Sequence, residues 1–104
     1  MGGNMIGKIY TPWLERVPPS GLDGIQKLYA FEGSVYGASV VKNQFSYGGA
    51  GGLWELAVLR YTGPLNEKEL EFELVYDTPI TDDVIGYLTE EEIQAILDKI
   101  AHLA

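Results

Sequence analysis

The side chains best able to do chemistry in this chain are carboxylates. Glu67, Glu69, Glu71 and Glu73 recur at every second position. On an extended strand all four project from one face, with neighbours about 6.6–6.8 Å apart along the chain. Asp77, Asp82 and Asp83 follow close behind, and three such groups have the oxygen chemistry to hold a hard cation such as Mg²⁺ or Ca²⁺. The alternating acids, central glycine and distal glutamate of an EF-hand are missing, however. Thr81 with Asp82 and Asp83 is better explained as a helix N-cap followed by an acidic first turn. No metal site is expected.

Other reactive groups are scarce. His102 is the single histidine, and there is no cysteine. A histidine in the last turn of a helix favours the helix dipole without further duty. Thiol chemistry and zinc sites of the usual ligand sets are excluded. No serine stands in a G-x-S-x-G elbow. The glycine run at 48–52 lacks the Lys-Ser/Thr of a P-loop and the spacing of a dinucleotide fingerprint, so it reads as a hairpin loop. The chain is expected to be non-enzymatic, without catalytic residues and without a cofactor.

The acidity is local. Residues 1–66 carry four acids and five bases, whereas residues 67–104 carry eleven acids against Lys68 and Lys99. The net charge of −8 therefore lies wholly in the last third. Such a surface repels phosphate backbones and favours basic partners, so direct nucleic-acid binding is disfavoured. The glutamate row has two readings. It keeps an edge strand soluble and unpaired, or it forms, with Asp82 and Asp83, a surface for a basic protein partner. The second reading extends to a nucleic-acid-acting partner, with carboxylates standing in for phosphates. A homo-oligomer is a further possibility. The longest apolar stretches run to about four residues, so no membrane-spanning helix is expected.

The elements that must position these groups follow from pattern. Residues 1–5 read as a disordered leader and 6–104 as one domain, since 104 residues do not hold two cores. Residues 6–10 suggest a short first strand. Thr11-Pro12 suits a helix start with Trp13, Leu14 and Val17 on one face, ended by Pro18-Pro19. Residues 25–31, 35–47 and 53–61 have strand composition, the last apolar on both parities, as a covered central strand should be. Gly37 inside the second marks a bulge or a close backbone approach. Residues 70–76 alternate, with Leu70, Phe72, Leu74 and Tyr76 on the packed side and Val75 on the wet side. Residues 81–87 suggest a helical turn broken at Gly86. Thr89 and Glu92 then form a capping box, Leu88 and Ile93 a hydrophobic staple, and Ile93, Ile96, Leu97 and Ile100 an apolar stripe. The expected fold is α+β: a small antiparallel sheet, about four strands in a meander, packed on one C-terminal amphipathic helix.

Three segments carry a resemblance. Ser46-Tyr47-Gly48-Gly49, Gly52-Leu53-Trp54-Glu55-Leu56-Ala57-Val58-Leu59 and Asp77-Thr78-Pro79-Ile80-Thr81-Asp82-Asp83-Val84-Ile85-Gly86-Tyr87-Leu88-Thr89 resemble small, uncharacterised bacteriophage and prophage proteins over residues 34–103. The segment through Trp13 and Pro18-Pro19 stands apart from it. The resemblance implies a phage-type accessory protein made in the bacterial cytoplasm, of the kind that binds and inhibits a host factor. It carries no assigned activity and no site residue. Two other roles stay open: a small-ligand module built on the 48–52 hairpin with Tyr47 and Trp54, and a structural protein that assembles with itself.

Overall fold

The stretch apolar on both parities forms strand β4 (Trp54–Tyr61), and the rest of the molecule is arranged along it. The computed structural model describes residues 9–17, 24–42, 51–66, 68–80 and 84–103. On one side β4 pairs with β3 (Tyr36–Lys42), which pairs with β2 (Ile25–Ala30), which pairs with β1 (Leu14–Arg16), all antiparallel. On its other side two short strands share the edge of β4. The first, β5 (Phe72–Leu74), meets residues 59–61; the second, β6 (Ile85–Leu88), meets Trp54 and Leu56. Helix α1 (Glu90–Ala101) lies across one face. The architecture is the expected α+β sheet on a helix, with six strands among the described residues rather than about four.

Both additional strands replace expected helical turns. Residues 14–16 pair with the outer edge of β2, and the Trp13 N–H donates to the Leu28 carbonyl at 2.9 Å. A helix confined between Pro12 and Pro18 has too few residues to repay its nucleation, whereas β2 presents an edge ready to pair. Residues 85–88 likewise fill the vacant half of the β4 edge. The register slips between Trp54 and Leu56, and Tyr87 takes a left-handed φ of 59° beside the slip, as a bulge demands. Residues 9 and 10 belong to no strand, and the rest of the expected first strand, like the leader and the stretches 43–47 and 48–50, lies outside the described residues.

Alternation along β2, β3 and β4 sends side chains to both faces. Under α1, Tyr29, Ala38, Val40, Trp54, Leu56, Val58 and Leu88 pack with Ile93, Leu97 and Ile100. The helix is set there by its cap: the Glu92 N–H donates to the Thr89 hydroxyl at 3.2 Å, and the Thr89 N–H donates to the Glu92 carboxylate at 3.0 Å. The bond from the Thr89 N–H holds the Glu92 carboxyl below the usual glutamate range. The opposite face buries Leu28, Leu59 and Tyr61, half-covered by Trp13, Leu14, Leu70 and Phe72. The assignment for 70–76 is corrected here. Leu70 and Phe72 pack, but Leu74 and Tyr76 are exposed, and Val75 joins the helix-side core. The chain leaves the sheet after Val75, whose N–H makes the last rung to Val58 at 2.9 Å, so one parity does not hold throughout.

Gly37 is a close backbone approach. A Cβ there would lie 2.2 Å from the Tyr29 carbonyl oxygen and 2.5 Å from a ring carbon of Tyr61. Tyr61 thus occupies the space a side chain at 37 would take.

Candidate functional site

The glutamates do not form one even ladder. Glu73 sits in β5 opposite Arg60, and the two side chains form an ion pair. Glu71 precedes the strand; its carbonyl accepts from the Thr62 N–H at 3.1 Å, and its side chain lies against Gly63. Glu69 belongs to a turn closed by its own N–H to the Asn66 carbonyl at 3.2 Å. Glu67, Asp82 and Asp83 lie outside the described residues. Exposed Asp77 lies by a small cavity with Arg60 and Glu73. Among the described residues, then, Arg60 neutralises Glu73, while Glu69 and Glu71 remain exposed without an ion pair.

Beside Glu71 the helix-free face opens into a groove of about 420 Å³, lined by Trp13, Phe31, Val35, Tyr61, Pro64 and Leu65 among others. Its floor is rigid. The Trp13 indole N–H donates to the Tyr61 hydroxyl at 3.1 Å, which donates to the Tyr29 carbonyl at 2.9 Å. The Trp13 and Phe72 rings each meet Tyr61 edge-on at 6.3 Å, a favoured aromatic geometry. Burial pushes the Tyr61 hydroxyl above the usual tyrosine value, with the Trp13 bond opposing. The rim is wet: Val35 is 54% and Leu65 48% exposed. Further along the same face, Arg16 donates to Gln26 at 2.7 Å and Gln26 to Ser39 at 2.9 Å, so that end is a satisfied polar row.

Comparison with known proteins finds no matching family model and no significant match to a curated protein or a solved structure. Residue roles therefore rest on this geometry.

Two further clusters lie on the helix side. The ammonium groups of Lys27 and Lys42 stand 4.7 and 4.5 Å from the centre of the buried Trp54 ring, with Glu15 3.9 Å from Lys27. A cavity of about 240 Å³ adjoins, lined by Lys27, Tyr29, Trp54, Glu90 and Gln94 among others. Sequence reasoning missed this arrangement. Its available signal was that Lys27 shares the parity of Ile25 and Tyr29 in β2. A cavity of about 590 Å³ lies by the end of α1 between Tyr10, Phe31, Asp98 and His102. There the Tyr10 hydroxyl donates to Asp98 at 2.7 Å, which raises the Tyr10 pKa above the usual tyrosine value. Gln94 bonds both the N–H and the carbonyl of Tyr10, at 2.8 and 3.0 Å. The His102 Nδ1 meets the Asp98 carbonyl oxygen at 2.6 Å and is 3.9 Å from its carboxylate. These groups clasp residues 9–11 to the helix. Among the described residues, no cluster of histidine, cysteine, aspartate and glutamate has the geometry to hold a metal ion, and no helix is long and apolar enough to cross a membrane.

Proposed function

We propose that this chain is a non-enzymatic, phage-type accessory protein that binds and inhibits a basic host protein through its acidic surface. The carrying observation is the contrast within the glutamate run. Glu73 is neutralised by Arg60, while Glu71 and Glu69, two and four residues earlier, stand exposed and unpaired among the described residues. Like charges kept side by side on a surface cost a little stability and raise association rates with an oppositely charged partner. The resemblance to phage and prophage proteins supports placing that partner in the bacterial cytoplasm. A partner acting on nucleic acid fits best, because its own ligand is polyanionic.

The test is affinity capture from bacterial lysate, comparing the native chain with a Glu69→Lys/Glu71→Lys variant and with a Glu91→Lys control on α1. A specific partner, identified by mass spectrometry, should be held by the native chain and the control, released by added salt and lost by the double variant. Equal capture by all three proteins would sink the acidic-surface reading.

A further inference from the structure

The groove beside the free glutamates is itself unexplained by a purely electrostatic surface. Its lining is mostly apolar, and two large hydrophobic members, Val35 and Leu65, are exposed beside the Trp13–Tyr61 floor. Large apolar side chains at a half-open, rigid aromatic floor are the usual receptor of an interface anchor. Among the described residues the charge that lines it is acidic: Glu32 is part of the lining, and Glu71 lies against Gly63, which forms another part, while no basic residue is among them.

We infer that the groove receives a single aromatic or large aliphatic side chain from the partner, carried on a segment with lysine or arginine on both sides of that anchor. The inference rests on the acidic-surface reading above and adds to it the residue that the partner buries. Charge complementarity selects the occupant: an acidic segment would face Glu32 and Glu71 unpaired, whereas flanking cations would meet them. The floor needs little rearrangement. Tyr61 is held by two hydrogen bonds and by the missing side chain at Gly37, and an anchor that enters a preformed cleft loses less on ordering. The basic flanks supply the approach and the anchor supplies the residence time, because charges at a rim act mainly on encounter and buried anchors on dissociation.

The experiment uses the intact chain, ¹⁵N-labelled, and two synthetic peptides, Lys-Lys-Phe-Lys-Lys and Lys-Lys-Ser-Lys-Lys. The Trp13 indole N–H, bonded to Tyr61 at the groove floor, gives the reporting resonance. Saturable movement of that resonance by the phenylalanine peptide, at an affinity about tenfold or more above that of the serine peptide, supports the inference. Val35→Asp and Leu65→Ser, both at exposed positions, should each remove most of that advantage in a chain whose spectrum otherwise stays folded. If both peptides shift the glutamate amides equally and leave Trp13 unmoved, the anchor is overturned while the acidic-surface reading stands. If the phenylalanine peptide binds Glu69→Lys/Glu71→Lys as tightly as the native chain, the charge requirement falls, and both ideas with it. No movement by either peptide overturns the anchor, as does a Trp13 resonance that moves with protein concentration alone, which would make a second copy of this chain the occupant.

Discussion

The two faces of the sheet are built from the same strands and end in different states. Under α1, ten buried residues close into one core. On the opposite face the buried hydrophobic side chains among the described residues are Leu28, Leu59 and Tyr61, and their cover is loop and two three-residue strands. Alternation in β2, β3 and β4 supplies apolar side chains to both sides, but the described residues hold one α-helix with which to cover them. The helix face therefore carries stability, and the open face retains apolar surface that a partner can use.

That division can be broken by substitution. Leu97→Ala, at a position with no exposure, should cost about 2–5 kcal/mol in denaturant unfolding, as buried leucine truncations do; a loss below about 1 kcal/mol would mean that the helix is not the main cover. Gly37→Ala sharpens the comparison from the other side. Its Cβ would run into the Tyr29 carbonyl and the Tyr61 ring, so about 1–3 kcal/mol of overpacking should appear on the open face, with a displaced Trp13 indole resonance. Thr89→Ala removes one cap bond of α1 and should lower stability by about 1 kcal/mol. The smallest expected effect is that of Val35→Asp, within about 0.5 kcal/mol for an exposed site, even as it removes peptide anchoring. A large stability loss there would show the open face to be core after all.

The cap also makes the helix face sensitive to acid. The folded Glu92 carboxyl titrates below its ordinary range because it accepts from the Thr89 N–H. Its contribution is thus present above the unfolded value and lost as pH falls through the lowered folded one. Glu92→Gln, which keeps an acceptor without a charge, should flatten that part of the stability–pH curve between neutral and acid pH. An unchanged curve would assign the acid sensitivity elsewhere.

How much of this was legible depends on whether the signal was local. The Thr89–Glu92 cap and the Ile93, Leu97 and Ile100 stripe are written within twelve residues, and each formed as read. The doubly apolar β4 was equally plain, whereas Gly37 marked either a bulge or a close approach and the structure has the second. Residues 14–16 and 85–88 were misread because short segments take the structure that a neighbouring edge offers, and the edges of β2 and β4 are set by residues far away in the chain. The candidate site was half-legible. Acid spacing marked Glu69, Glu71 and Glu73, but the turn at Asn66 and the pairing of Arg60 with Glu73 depend on register. Trp13 was read on one face of a helical turn; that it would share a groove with Val35, Pro64 and Leu65 required the β1–β2 pairing that no pattern in residues 11–17 announced.

The divided edge of β4 has a consequence for how this chain can change. β5 and β6 are separately registered against one strand, so residues 76–80, which follow the last rung at Val75, are not measured out by the sheet. Closing a loop of twice the length costs only about 0.6 kcal/mol more. An insertion beside exposed Tyr76 or Asp77 is therefore expected to leave both faces of the sheet with their residues.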